Sequence, residues 1–167
     1  IRLFFTDPDT VIDKYITENF AKEVFEGAAI LANTIDTKDV IFISEKNTWN
    51  LPEENEIKKY FGNIKVHSLE TDIDVYPRGQ YKYINQKVIS FLKSKGINNY
   101  KDSFAIASST SLDVYNPIVK SYTAIDRFIQ VEGDDIAMNG IFKIRIGTTF
   151  RNLFEECNGF IKEPAKI

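Results

Sequence analysis

One stretch, residues 129–160, limits the possible folds of this chain more than any other. Residues 129–131 alternate in polarity and end at Gly133, which predicts a short strand. The apolar residues of a second strand share one face: Phe142, Ile144 and Ile146. Those of a following helix recur with i, i+3, i+4, i+7 spacing: Phe150, Leu153, Phe154 and Cys157. A hairpin followed by one amphipathic helix predicts a small β-grasp domain.

Turn and capping residues separate these elements. Asp134-Asp135 and Asn139-Gly140 are typical of the turn between the two strands. Residues 147–149 are predicted to start the helix, and Asn158-Gly159 is predicted to end it. The acidic side chains near the turn could hold a cation, although a solvated turn is the simpler interpretation: Glu132, Asp134 and Asp135.

The rest of the chain alternates predicted strands with predicted helices. The strands are residues 1–5, 40–43, 64–69 and 103–107. The helices are residues 17–35, 50–60, 79–95 and 110–120, the last interrupted at Pro117. This order predicts an α/β fold, a three-layer sandwich with a mainly parallel sheet, over residues 1–125. The β-grasp domain follows over residues 126–167.

Composition excludes several classes of protein. Among 167 residues the net charge is -3 and the basic residues are scattered, which argues against nucleic-acid binding. One cysteine excludes an internal disulfide and any iron–sulfur cluster held by this segment alone. No apolar run approaches the roughly 20 residues of a membrane span. We expect a cytoplasmic protein. Because the chain begins at Ile1, we also expect it to be a segment of a longer one.

Residues 129–160 resemble the soluble-ligand-binding β-grasp (SLBB) module of RnfC, a component of the Rnf electron-transport complex, and of the flavin-carrying subunit of respiratory complex I. The family pattern is V-x-G-x-x-V-x-x-P-G-x-Y-x-V-x-I-G-T-x-x-x-x-L-x-x-x-G-G-F. This chain matches it at Val131, Gly133, Ile136, Gly140, Phe142, Ile144, Ile146, Gly147, Thr148 and Leu153, and, after one inserted residue, at Gly159 and Phe160. Asn139 stands where the family usually has proline, and residues 163–167 resemble its D-P-A-K-I.

A weaker resemblance to RnfC covers the preceding domain. Residues 6–12 and 22–27 resemble the family's T-A-D-D-R-L-M and E-E-I-I-E-G. Residues 75–85 resemble K-Y-P-Q-G-G-E-K-Q-L-I, and residues 106–115 resemble V-Q-N-V-G-T-A-V-A-I-Y. Within this family, the RnfC-like protein associated with clostridial proline reductase is the most specific resemblance. The order is that of the FMN-binding domain of complex I followed by the SLBB domain.

This resemblance implies an electron-transfer protein that relays electrons from NADH or flavin carriers to a partner reductase. Its relatives carry iron–sulfur clusters in a domain beyond residue 167, so the present segment is expected to serve scaffolding and docking. Other subunits or a partner reductase are the expected partners, and through them the protein could associate with the cytoplasmic face of a membrane.

The resemblance weakens where relatives bind FMN. The glycine-rich loop that cradles the phosphate is absent, and the family's E-x-E-P is replaced by residues 3–6. What remains is a degenerate FMN site, whose candidate residues are Tyr76, Arg78, Gly79, Gln80 and Thr110. We therefore expect no cofactor in this segment and doubt FMN in the parent protein. We assign neither catalytic residues nor metal ligands.

Two alternatives stay open at this stage. The parent protein could be an active FMN-dependent NADH oxidoreductase, or a redox-inactive protein whose β-grasp domain binds a small ligand. Several noticeable residues also have ordinary structural interpretations. Residues 108–111 are predicted to cap a helix with their hydroxyl groups, Cys157 to fill the core, and His67 to pack or form a hydrogen bond.

Overall fold

The computed structural model of the chain describes residues 1–4, 9–46, 52, 54–72, 80–98, 103 and 105–162. Its contacts divide the chain into two units, Ile1–Tyr122 and Thr123–Ile167. The domain families inferred from the resemblance for residues 1–125 and 126–167 stay predictions. Parts of three segments that carry the resemblance, residues 6–12, 75–85 and 163–167, lie outside the described residues.

In the first unit, helices and strands alternate as the sequence predicts. The described elements are α1 (Ile12–Asn19), α2 (Ala21–Thr34), β1 (Asp39–Glu45), α3 (Glu54–Lys58), β2 (Lys65–Thr71), α4 (Tyr81–Ser94) and α5 (Ser108–Val119). The predicted strands at residues 40–43 and 64–69 and the helices at 79–95 and 110–120 correspond to β1, β2, α4 and α5. The helix predicted over residues 50–60 is described only as the short α3.

β1 and β2 form a parallel pair in the first unit, with Asp39 opposite Lys65 and Glu45 opposite Thr71. Arg2 forms parallel bridges to Ile43 on one side and to Ala107 on the other. The order across this layer is therefore β2, β1, residues 1–3 and residues 106–107. In chain order these are the third, second, first and fourth extended segments. The predicted strands at residues 1–5 and 103–107 are thus short bridged segments in the described part.

β1 is buried on both faces because its side chains meet helices on each side. Phe42 is fully buried, and its ring packs edge-on against Phe25 of α2 at a centroid distance of 5.2 Å. On the other face, Ile43 packs with Phe4 and with Ile84 of α4. Such double burial explains the unbroken apolar run in the sequence of β1.

Gly27 allows α2 to approach α5 closely. A Cβ atom added at this position would lie 2.0 Å from the backbone oxygen of Ser111 and 3.2 Å from the Cβ atom of Tyr115. No side chain larger than hydrogen fits there without moving one helix. The short distance between α2 and α5 thus depends on the absence of a side chain at Gly27 as well as on the apolar side chains around it.

The structure corrects three details of the first unit. The apolar stripe predicted to run through residues 17–35 is divided at Phe20, whose φ of -132° and ψ of 34° separate α1 from α2. Ile35 at its far end is exposed, because α2 ends at Thr34. Pro117 does not interrupt α5, since it lies in the last turn, where the helix ends two residues later at Val119.

The second unit is a hairpin packed against one helix. β3 (Asp126–Val131) pairs antiparallel with β4 (Gly140–Arg145), and α6 (Phe150–Glu156) follows. Thr149 accepts a hydrogen bond from the Asn152 amide at 3.3 Å and so caps α6. The core of the unit consists of Val131, Leu153 and Cys157, surrounded by Ile129, Ile136, Phe142, Ile144 and Phe154. A bridge between Ile136 and Phe160 joins the loop to the residues after α6.

Two apolar residues of the second unit are not in this core, contrary to the periodicity prediction. Ile146 is 61% exposed because β4 ends at Arg145 and Gly147, with a φ of +96°, redirects the chain. Phe150 is 76% exposed because it is the first residue of α6. Periodicity correctly predicts the strand and the helix but not the point where each leaves the core.

The α/β class predicted from the sequence is confirmed as a mixed α/β structure with a small parallel sheet and a small antiparallel one. None of the helices among the described residues combines the length and apolar character needed to cross a membrane.

Candidate functional site

The order of the extended segments in the first unit indicates where a ligand would bind. Open α/β sheets bind ligands beyond the carboxyl ends of their strands, at the point where the strand order reverses. Here residues 1–3 and residues 106–107 are neighbours, although they are the first and fourth segments along the chain. The chain leaves the first towards α1 and the fourth directly into α5. The reversal therefore places the candidate site between the beginnings of these two helices.

Asp13 of α1 lies at this reversal and is 1% exposed. Its Oδ1 accepts hydrogen bonds from the Ser108 hydroxyl at 2.8 Å and from the Ser109 backbone amide at 3.2 Å. Its Oδ2 is buried and has no hydrogen-bond partner. The Thr17 hydroxyl donates to the Asp13 carbonyl oxygen at 2.7 Å and holds the turn that carries the carboxylate.

The start of α5 differs from the hydroxyl-capped turn that the sequence predicts. The N-cap residue is Ala107, which offers no side-chain acceptor, and no side chain caps the helix from that position. Ser108 and Ser111 are both fully buried inside the first turn. The acceptor for the free amide of Ser109 comes instead from Asp13, 96 residues earlier in the sequence. The capping group of α5 thus comes from α1, which is far away in the sequence but adjacent in the fold.

The candidate FMN residues lie partly outside the described chain. Tyr76, Arg78 and Gly79 fall outside it, whereas Gln80 is the N-cap residue of α4 and makes no side-chain cap bond. Thr110 is exposed in the first turn of α5. The strands that precede these two helices are separated by β1 and by residues 1–3, a span of roughly 14 Å at the usual strand spacing. The assignment of these five residues to a cofactor stays a prediction.

Sequence reasoning missed Asp13, although the sequence carries a signal for it. Asp13 precedes Ile16 and Thr17 by three and four residues, so all three share one helical face, and all three are buried. An acidic residue on an otherwise buried helical face needs hydrogen-bond donors. That signal indicates that Asp13 has a hydrogen-bond donor, but it does not identify the donor.

A lysine marks the carboxyl end of β2. The Lys87 ammonium group of α4 donates to the Thr71 hydroxyl at 2.6 Å, and Thr71 is 1% exposed. This contact ties α4 to the last residue of the strand. It also places the positive charge of an α4 side chain at the carboxyl end of β2.

The second unit carries an aromatic groove of about 630 Å³, lined by Phe150, Arg151, Phe154, Glu155, Gly159 and Phe160. The Phe154 and Phe160 rings are 4.8 Å apart, and the Phe150 ring continues the row at 6.4 Å from Phe154. Arg151 and Glu155 are exposed on the same helix. The groove therefore combines an apolar floor with one charge of each sign.

The remaining candidates have structural roles. Cys157 is fully buried, and this burial raises the pKa of its thiol, as does the neighbouring Glu156 carboxylate. His67 Nε2 lies 2.9 Å from the Asp39 carboxylate, so hydrogen bonding, one of the two ordinary roles expected for it, is present. Glu132, Asp134 and Asp135 are exposed in the turn. In the described part of the chain, no three His, Cys, Asp or Glu side chains form a group that could hold a metal ion.

Comparison with known proteins finds a distant relative that aligns with nearly all of this chain. Over 165 residues the chain is 22% identical to the C subunit of the Na(+)-translocating ferredoxin:NAD(+) oxidoreductase complex of Acetobacterium woodii. The alignment includes 96% of this chain but only 36% of the relative, so the chain spans about a third of that protein's length. This similarity supports an RnfC-like family. No protein-family model matches the chain.

Proposed function

We propose that this chain is part of an RnfC-like electron-transfer subunit that relays electrons from NADH or flavin carriers to a partner reductase. The alignment with the Acetobacterium woodii protein, which runs through both units of the chain, carries the proposal. The electrons would travel through iron–sulfur clusters held by other parts of the protein, because a single cysteine cannot ligate a cluster. The acceptor would be a reductase such as proline reductase.

The segment itself would serve scaffolding and docking. In this proposal the first unit is a three-layer sandwich of the FMN-domain type, and helices on both faces of β1 support that assignment. The second unit is a β-grasp domain of the SLBB type, supported by its hairpin, its single helix and their shared core. Neither assignment requires a reaction to occur within the segment.

The aromatic groove of the second unit is the docking surface in this proposal. Phe150 is 76% exposed at its edge beside the half-buried Phe154 and Phe160 rings, and large apolar patches that face water commonly mark interaction sites. Aromatic residues and arginine are also the residues enriched in protein–protein interfaces. A partner protein would cover the Phe150, Phe154 and Phe160 rings and pair with Arg151 or Glu155.

The test is to purify the full-length protein without oxygen and to measure its iron, acid-labile sulfide and flavin. The proposal predicts iron and sulfide in equal amounts, visible absorption that dithionite bleaches, and no stoichiometric flavin. Stoichiometric FMN that NADH reduces would replace the proposal with an FMN-dependent NADH oxidoreductase. A protein with neither iron nor flavin would replace it with a redox-inactive ligand-binding protein.

A further inference from the structure

We infer that the beginning of α5 is an anion site that the chain fills with its own Asp13, and that this turn is consequently closed to the phosphate group of a flavin or nucleotide. The inference concerns the first unit alone and holds whether or not the proposed electron-transfer function is correct. It also defines a disagreement with the degenerate FMN site, because Thr110 lies in this same turn.

The contacts of Asp13 are those that an anion makes at a helix N-terminus. Such a terminus carries a partial positive charge and unsatisfied backbone amides, and both favour a negative group. Asp13 Oδ1 accepts hydrogen bonds from the Ser109 amide at 3.2 Å and from the Ser108 hydroxyl at 2.8 Å. Asp13 also lies in the first turn of α1, so the positive ends of two helices favour its charge.

The burial of the carboxylate separates it from an ordinary surface cap. Asp13 is 1% exposed, and its Oδ2 is enclosed without a hydrogen-bond partner. A carboxylate held this deeply needs a compensating positive potential, which the two helix ends provide. The second oxygen is enclosed but accepts no hydrogen bond, so the carboxylate occupies the space in front of the turn beyond what its one accepting oxygen needs.

A phosphate group at this turn would meet that carboxylate directly. The amide of Ser109 and the hydroxyl of Ser108 are already used, and the remaining approach passes beside a buried negative charge. Repulsion between like charges in a site removed from water is strong. Thr110 is exposed, but its hydroxyl alone does not form a phosphate cradle. FMN is therefore not expected to place its phosphate against α5.

Replacement of the internal anion by an added one tests the inference. Asp13→Ala, Asp13→Asn and the control Glu18→Ala would be prepared in the whole chain, where Glu18 is an exposed carboxylate on the same helix. Urea unfolding midpoints are then compared in sodium formate and in sodium chloride of equal ionic strength. We expect Asp13→Ala to raise the equilibrium constant for unfolding about tenfold, as loss of a helix cap does, and formate to bring it back in a saturable manner. The wild type and Glu18→Ala should behave alike in both salts.

Asp13→Asn keeps the shape and an acceptor oxygen but removes the charge. We expect it to be less stable than the wild type and insensitive to formate; equal stability would show that only hydrogen bonding matters and would overturn the inference. An Asp13→Ala protein that stays unfolded in both salts would also overturn the inference, because formate would then have failed to replace the carboxylate. Formate that stabilises Asp13→Ala no more than chloride does would overturn it too. In the wild type, titration with inorganic phosphate should leave the amide NMR signals of Ser109 and Thr110 without a saturable shift, and such a shift would contradict the closed site.

Discussion

Cys157 is the residue whose chemistry the fold suppresses most clearly. It is the single cysteine of the chain and is fully buried beside Val131 and Leu153. Thiol reagents react with the thiolate, and burial raises the pKa of this thiol. We predict that a chromogenic disulfide reagent reacts with the native chain far more slowly than with the urea-unfolded chain. Equal rates would show that Cys157 is accessible and would remove it from the core.

The raised pKa of Cys157 also predicts how the stability of the second unit depends on pH. Above the ordinary thiol pKa of about 8.5, the unfolded chain releases the proton while the folded chain retains it. The free energy of unfolding should therefore fall as the pH rises through this range. Urea midpoints at about pH 7 and about pH 10 should differ more for the wild type than for Cys157→Ala, which lacks the titrating group. An identical pH dependence in both proteins would contradict the prediction.

The contact between α2 and α5 depends on the missing side chain of Gly27. The added methyl group of Gly27→Ala would overlap the Ser111 backbone oxygen, at 2.0 Å, and must push the helices apart. Alanine normally favours a helix, so a loss of stability would come from packing. We predict a loss of about 1–3 kcal/mol, as for other overpacked cores, measured by urea unfolding.

Gly140→Ala is the matched control for that substitution. It adds the same methyl group at the start of β4, where the nearest atom is 3.9 Å away in the Phe142 ring. We expect a much smaller effect on the unfolding midpoint. A Gly27→Ala protein as stable as the wild type would mean that α2 and α5 are not packed as closely as described.

Elements with a long, regular pattern were predictable from the sequence, and their ends were not. The apolar run of β1 and the alternation in β4 give the correct element type, and Asn158-Gly159 correctly ends α6. The break at Phe20 and the exposure of Ile146 and Phe150 depend on where the chain turns away from its core. A periodic pattern reports which side of an element is apolar, not how far the opposing surface extends.

At the scale of the whole molecule, the candidate site depends on contacts that no local pattern contains. That open α/β sheets bind ligands at the carboxyl ends of their strands is a general rule, which does not say which residues meet there. The neighbouring position of residues 1–3 and 106–107 is long-range information. So is the contact between Asp13 and Ser108, which are 95 residues apart. An acidic residue on a buried helical face could be recognised, but its partner could not.

Features of both units support the docking role proposed for this chain. In the first unit, the position where an α/β sheet would bind an anionic ligand is filled by Asp13. In the second unit, Phe150 is largely exposed and forms an open groove with the half-buried Phe154 and Phe160 rings. A segment whose anion site is closed and whose aromatic surface is open is better suited to binding a protein than to holding a cofactor at α5.

This role predicts that Phe150→Asp separates assembly from folding in the full-length protein. Phe150 is 76% exposed and is the first residue of α6, where an acidic side chain suits the helix dipole, so the unit should fold normally. Tyr81→Asp is the matched control, because Tyr81 is an exposed aromatic residue at the first position of α4. We expect Phe150→Asp to reduce the partner subunits recovered with the tagged protein about tenfold or more, as loss of an interface anchor does, and Tyr81→Asp to leave recovery unchanged. Undiminished recovery with Phe150→Asp, or an equal loss with Tyr81→Asp, would mean that the aromatic groove is not the docking surface.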